Sequence, residues 1–342
     1  MAAASKSPSI YDLAEKLKIS VSTVSRALQN HPKISQVTKR RVLELARQLN
    51  YQPNQMAKAL SQGHSKLIGV LVPHIDGFFF GTIVRGIETA AHQAGYHVLI
   101  CQSYEDATLQ QEALTMLLQA QVAGILVSLA ISTPDASAFA PVLERHVPLV
   151  LFDRFISGFD VSSVVIDDYQ GAYDMTTHLL AQGARRIAHL AGPQSMGIFR
   201  ERLRGFQAAL HSHNAVSDPA LILFDSLYIE GGIRGMTALL QLPQPPDAVF
   251  AANDFAAIGA LQVLKEKNLR VPEDLLLAGF GDELTSAYVE PPLSTVNQLN
   301  LKMGEAAVQL LLNALNKTHG PAPHRFVLKP ELIVRRSSNR QN

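Results

Sequence analysis

Ser22 and Arg26 stand four residues apart in "VSTVSRAL", a spacing that puts a hydroxyl and a guanidinium on one face of a helix. A guanidinium presents two parallel N–H donors that match the O6 and N7 acceptors of guanine, a contact worth roughly 1–3 kcal/mol of base discrimination. Ser22 can donate or accept, Val21 can offer only an apolar contact such as one to a thymine methyl, and Thr23 and Ser25 suit phosphate oxygens. The open alternative for Arg26 is a solvated surface charge. A second polar group closes apolar, strand-like runs: Asp153 ends "PLVLFD", Asn253 and Asp254 end "VFAAND", and Arg202 lies in "RERLRGF". A carboxylate, a guanidinium and an amide converging on a cleft suit a ligand with many hydroxyls. Asp153, Asn253 and Asp254 could equally cap helices or pair between lobes. In "PHIDGFFFG", His74 and Asp76 could add hydrogen bonds, and Phe79 or Phe80 could stack on a sugar ring or pack in a core.

Catalysis finds no constellation. The chain lacks G-x-S-x-G, G-x-x-x-x-G-K-[ST] and H-E-x-x-H. His211 and His213 sit two apart on an expected helix, so they point to different faces and make a poor metal pair. Asp167 and Asp168 follow a strand end, where they can cap the next helix. No cofactor is expected.

Three short helical patterns must position Ser22 and Arg26. Ser9 can cap the first, with Asp12 three residues on, and Ile10, Leu13, Ala14 and Leu17 form its apolar stripe. Ser20 caps the second, which should bury Val24, Ala27 and Leu28 and leave Val21, Ser22, Ser25, Arg26 and Gln29 outside. The third starts at about Ser35 or Thr38 and runs to Leu49, burying Val42, Leu45 and Ala46 and exposing Lys39, Arg40, Arg41 and Arg47. Two helices joined by a turn of three or four residues form a helix-turn-helix, whose second helix can enter the major groove.

Charge agrees with that reading. Residues 1–62 carry ten Lys or Arg and three acids, whereas the rest of the chain carries 20 basic and 26 acidic residues. A net charge of +1 therefore joins a basic head to an acidic body, and the head suits a phosphate backbone with steep salt dependence.

At 342 residues with 47% apolar content, two to three domains are expected. "MAAASKSPS" has no apolar h-region, no apolar run approaches the roughly 18 residues that span a bilayer, and a cytoplasmic protein without membrane association is expected. Cys101, the single cysteine, reads as a buried structural thiol. From Lys66 onward apolar strands alternate with helices near 79–94, 107–120, 135–146, 169–182, 199–213, 230–241, 254–268 and 300–316. This repetition predicts an α/β body with two doubly wound parallel-sheet lobes, "SSVVIDD" and "LSTVNQ" crossing between them. In such sheets a ligand sits beyond the carboxyl ends of the strands, here in the cleft between lobes.

The stretches "IYDLAEKLKISVSTVSRAL", "VTKRRVLELARQLNYQPNQMAKAL" and "IGVLVP" resemble the lactose-repressor (LacI/GalR) family of bacterial transcription regulators, and the likeness runs over essentially the whole chain. The resemblance implies a head over 1–52 and a hinge helix over 53–65. It also implies a periplasmic-binding-protein-like core over 66–342, with an N-lobe of about 66–166 and 299–326 and a C-lobe of about 167–298 and 327–340. It implies that the hinge folds on DNA, that Leu60 wedges into the central minor-groove step with Ala57 and Lys58 beside it, and that Tyr51 and Asn54 contact the backbone. It carries effector positions onto Asp153, Arg202, Asn253 and Asp254, and keeps Gln298 at the hinge of the lobes. Phe78 replaces the family's proline ahead of its aromatic pair, Phe79 and Phe80. Where many members have G-F-D-D, this chain has Gly279, Phe280, Gly281 and Asp282, so Asp282 takes over, the contact is absent, or a bulkier ligand uses the space.

The implied function is a homodimeric, ligand-responsive regulator, a repressor, that binds double-stranded operator DNA and is switched by a sugar or sugar derivative. "VRRSSNRQN" carries no leucine-heptad extension for tetramers. The alternative is a sugar-binding solute receptor with no regulatory role.

Overall fold

The computed structural model describes residues 8–51, 65–156, 158–224, 227–316 and 323–340. The chain divides into two units, Met1–Ser65 and Lys66–Asn342.

In the first unit, three serines set the helix starts. Ser9, Ser20 and Ser35 each hold extended backbone, and each side chain accepts from the amide three residues on, opening α1 (Ile10–Leu17), α2 (Val21–Leu28) and α3 (Gln36–Gln48). Asp12 returns the favour to the Ser9 amide at 2.6 Å, completing a capping box. Lys18 ends α1 in the left-handed region, so the turn to α2 is three residues long. Leu13, Ala14, Val24, Ala27, Val42 and Ala46 bury a small core between the three helices, with Ile10, Leu17, Leu28 and Tyr51 packed around it.

Leu28 and Leu45 are half-buried where full burial is expected, Ser25 is half-buried where exposure is expected, and two further positions depart from the helical pattern. Lys39 is buried, only 7% exposed, because its ammonium donates to the Asn30 carbonyl at 3.2 Å just past the end of α2. Its methylenes can therefore pack while its charge meets the negative end of a helix. Val21 is half-buried and packs against the same core, so it offers less outward surface than expected.

The second unit holds the two wound lobes. Six parallel strands form the first sheet in the order β11-β5-β4-β3-β1-β2: β1 (Leu67–Val72), β2 (His97–Gln102), β3 (Gly124–Val127), β4 (Leu149–Phe152), β5 (Ser162–Ile166) and β11 (Arg325–Leu328). The second lobe holds a parallel sheet of order β7-β6-β8-β9, built from β6 (Ile187–Leu190), β7 (Ile222–Leu223), β8 (Ala248–Ala251) and β9 (Leu276–Ala278). A short antiparallel pair, β10 (Thr295–Asn297) with β12 (Glu331–Ile333), completes it. β1, β3, β4, β5, β6, β8 and β9 are buried nearly end to end, as parallel strands covered on both faces must be, whereas β2, β7 and β11 at the sheet edges are only partly buried.

Helices cover these sheets: α4 (Phe78–Gln93), α5 (Ala107–Gln119), α6 (Ala140–Glu144), α7 (Asp168–Ala181), α8 (Gly197–Ser212), α9 (Ile229–Leu240), α10 (Asp254–Glu266) and α11 (Asn300–Leu315). Each falls within a few residues of its expected span. α4 and α11 cross closely through Gly86 and Gly304, where an added Cβ would run into the Leu301 and Ile83 carbonyls. Separate apolar clusters fill the two faces of each sheet.

The chain passes between lobes after β5, after β10 and after β11. The last passage follows Leu328 rather than residue 326, because Val327 and Leu328 pair with Val165 and Ile166 in the first sheet. Cys101 is buried, and its burial pushes the thiol up. No described helix is long and apolar enough to cross a membrane.

Candidate functional site

Two sites follow from this framework, one on each unit. On the head, α2 presents its first turns. The Ser20 hydroxyl lies 2.9 Å from the Ser22 hydroxyl and 2.8 Å from that of Thr23, so one cap both starts the helix and sets two side chains beside it. Ser22 is exposed, and Thr23 and Ser25 are half-buried. Arg26 is exposed one turn beyond Ser22, and among the described residues no acid or carbonyl engages its guanidinium. Tyr51 packs against the head core, and burial pushes its hydroxyl up. Asn54, Ala57, Lys58 and Leu60 lie outside the described residues.

On the body, the carboxyl ends of the strands of both lobes open onto one cavity of about 660 Å³. His74, Asp76, Phe79, Asp153, Arg202, Asn253 and Gln298 all line it. Phe79 meets Phe80 edge to face at 4.9 Å, and His74 meets Tyr104 at 5.8 Å. Phe79 thus both packs and faces the cavity, which joins the two readings of this loop.

Asp153 follows β4 with φ +65° and is 3% exposed. It accepts from the Ser128 hydroxyl at 3.1 Å and lies 3.5 Å from Arg154 Nε. Burial pushes its carboxyl up, against the pull of Arg154. Arg202, on α8, is fully engaged at its base: Nε donates to Asp168 at 2.8 Å, Nη1 to the Ala252 carbonyl at 2.6 Å and Nη2 to Gln298 Oε1 at 3.2 Å. Its plane lies 3.8 Å from the Phe280 ring centre. Of five N–H donors, at most two remain for a ligand.

Asn253 caps α10 through its Oδ1, and its Nδ2 donates to the Leu227 carbonyl at 2.6 Å. It therefore does the helix-capping work weighed for it while also facing the cavity. Asp254 accepts from Thr295, Ser286 and the Glu283 amide at 2.6–2.8 Å, which makes it an internal tie of the second lobe.

Asp282 does not line the cavity. Arg335 of the closing segment holds one of its oxygens at 2.7 Å and Asn297 of β10 donates to the other at 2.8 Å, so both are committed within the fold. Gly281 stands at φ +137° with only Gln298 and Asp254 atoms near an added Cβ, the closest at 3.7 Å. The space of a missing side chain is thus open at that wall.

Several lining residues escaped the sequence reading, among them Glu105, Arg154 and Glu283. Glu105 takes Arg154 bidentately at 2.8 and 2.9 Å, and Arg154 Nη1 also donates to the Leu129 carbonyl at 2.6 Å. Both follow strand ends, β2 and β4, and the rule that exposed Asp153 would have exposed them. Glu283 is the third. It is 9% exposed, and burial with the nearby charges of Asp254 and Asp282 pushes it up to about 7.

Both units resemble known proteins. The family model described as "Bacterial regulatory proteins, lacI family" matches residues 9–54, and the "Periplasmic binding protein-like domain" matches residues 176–338. The HTH-type transcriptional repressor CytR of Escherichia coli (strain K12) is 36% identical over 328 residues, 96% of this chain and 95% of that protein. The repressor PurR of Haemophilus influenzae (strain PittEE) is 32% identical over 96% of this chain and 98% of that protein. Among solved structures, the Lac repressor dimer bound to operator and the anti-inducer ONPF superposes with a TM-score of 0.85 at 26% identity, over 98% of this chain and 100% of that one. The regulator CelR in complex with cellobiose gives 0.72 at 29% identity, over 96% of this chain and 99% of that one.

Proposed function

Since the chain belongs to the LacI family of bacterial regulatory proteins and is a DNA-binding transcription regulator, we propose that it is a homodimeric repressor whose hold on operator DNA is switched by a small ligand in the interlobe cavity. The observation that carries this reading is the union, on one chain, of a helix-turn-helix with an uncommitted Arg26 and a two-lobed body with a polar cavity at its strand ends. A solute receptor needs the second feature and has no use for the first.

Each head reads one half of a near-palindromic operator. Val21, Ser22 and Arg26 face base edges, Thr23, Ser25 and Tyr51 face the backbone, and Asn54, Ala57, Lys58 and Leu60 serve the hinge. In the cavity, Phe79 offers an apolar face, while Asp153, Arg202, Asn253 and Gln298 offer polar atoms, with His74 and Asp76 at the mouth. That combination suits a sugar or sugar derivative, and a relative's complex with cellobiose supports the class. Ligand that binds one lobe arrangement better than another must shift the balance between them, and with it operator affinity. The protein acts in the cytoplasm and is not an enzyme.

Selection of DNA from a random pool by the purified protein tests the reading. The recovered pool should converge on a near-palindrome with guanine at matched positions in both halves. A pool without consensus would sink it.

A further inference from the structure

The cavity is lopsided in charge. Six carboxylates line it against two guanidiniums, those of Arg154 and Arg202. Both guanidiniums already have carboxylate partners, Arg154 in Glu105 and Arg202 in Asp168. Most of the buried acids have donors as well, since Asp153 takes Ser128 and Asp254 takes three neutral groups. Glu283 differs. Only its backbone is engaged, the amide donating to Asp254 and the carbonyl accepting from the Ser286 amide, and among the described residues no donor reaches its carboxylate, although the residue is nine-tenths buried. A buried acid without a partner is costly unless something supplies the missing donor. Gly281, two residues earlier, leaves that wall of the cavity open.

We propose that the ligand of this cavity carries no phosphate or carboxylate and sets an amine, an N–H donor, against the Glu283 carboxylate. The proposal rests on the reading of this cavity as the effector site. A phosphate ester entering here meets an excess of carboxylates and no uncommitted cation, so its charge stays uncompensated. An amine gives Glu283 the donor it lacks, and a protonated amine adds charge attraction in a site of low effective dielectric.

Matched sets of sugars test this on the full chain: glucose, glucosamine and glucose 6-phosphate, then galactose, galactosamine and galactose 1-phosphate, read by thermal melting. Within each set the amino sugar should stabilise most and the phosphate ester least, with roughly tenfold between amine and parent. A phosphate ester that outranks its parent overturns the proposal. Glu283→Gln should remove the amine preference, and an unchanged preference overturns the role of Glu283. Phe79→Ala separates the two layers of the argument. If shifts survive both F79A and E283Q, the ligand is elsewhere and the effector-site reading falls. If F79A abolishes them while E283Q leaves the ranking intact, only the proposal falls.

Without any ligand, E283Q should melt a few degrees above the parent at pH 8, with the gap narrowing toward pH 5. Burial is the main cause of the raised Glu283 carboxyl, followed by the facing acids Asp254 and Asp282, and Asp282 is held by Arg335, so what E283Q relieves is first a buried charge and then its repulsion from Asp254. Coincident melts at both pH values would mean that the carboxylate is not unpartnered, and would overturn the proposal.

Discussion

Arg26 and Arg202 are the same side chain put to opposite uses. Arg26 stands exposed on α2 of a basic head and touches no acid among the described residues, whereas Arg202 is 3% exposed and joins Asp168, Ala252, Gln298 and the Phe280 face. An unpaired guanidinium at a surface keeps its donors for a partner that has yet to arrive. A buried one must be matched inside the fold, since an uncompensated charge there costs several kcal/mol. The head therefore stores its binding capacity in free cations, and the body stores its own in shape and in a buried acid, Glu283, whose carboxylate meets no donor among the described residues. Replacing each arginine separates the two cases.

The largest effect should come from Arg202→Ala. It strands Asp168, which burial pushes up to about 6 even beside Arg202, and it removes the tie between α8 and Gln298. A loss of about 3–5 kcal/mol in stability is expected from breaking such a pair. Denaturant melts should show it, with the deficit largest near pH 8 and smaller at pH 5, where Asp168 can take a proton. A variant that melts with its parent would mean that Arg202 is a ligand contact and not a structural tie.

His189 shows the same rule for a neutral group. Its ring stacks against both Phe206 and Phe250 at 4.8 and 4.9 Å, Nδ1 bonds the Phe250 carbonyl at 2.9 Å, and burial lowers its pKa to about 4. The folded state thus refuses a proton that the unfolded chain accepts below about 6.5. Stability should fall as pH drops through that window, by about 2 kcal/mol between pH 7 and pH 5 from this group alone. His189→Phe should flatten the pH dependence by that amount in parallel melts, and an identical slope would remove His189 from the account.

Arg26→Ala should leave the melt unchanged and weaken specific operator binding by about 1–3 kcal/mol, roughly five- to 150-fold. Binding to random DNA should lose far less. Equal losses on both would make Arg26 a phosphate contact, and a falling melting temperature would make it structural like Arg202.

The legibility of the chain follows the same division. Local chemistry was readable: Ser9, Ser20 and Ser35 lie within three residues of the amides they cap, and the central strands of both sheets announce themselves by apolar runs. The cavity residues at strand ends were readable for the same reason, because a parallel sheet fixes where its carboxyl ends must lie. Long-range pairing was not. Asp282 is drawn off the cavity by Arg335, 53 residues away in sequence, and nothing near it signals that partner. Glu283 could not be found by a search for pairs, since its distinction is to have none.

Lys39 and Arg40 bring the comparison down to adjacent residues and its smallest effect. Both looked like exposed cations of α3, yet Lys39 is buried with its ammonium on the Asn30 carbonyl, and Arg40 is exposed at 3.9 Å from Glu44. A surface pair of that length contributes little to stability, whereas the Lys39 bond closes the end of α2 and holds Asn30 in its left-handed turn. Lys39→Ala should therefore cost the head about 1 kcal/mol. In the full chain this would appear as roughly fivefold faster hydrogen exchange of the α2 amides, with no change in the salt slope of DNA binding. Arg40→Ala should do the reverse, leaving exchange alone and, where it neutralises a phosphate, lowering the salt slope by about 0.9. If Lys39→Ala lowers the slope and spares the exchange, its ammonium leaves Asn30 for the phosphate backbone on binding, and the line between committed and free cations would have to be redrawn inside the head itself.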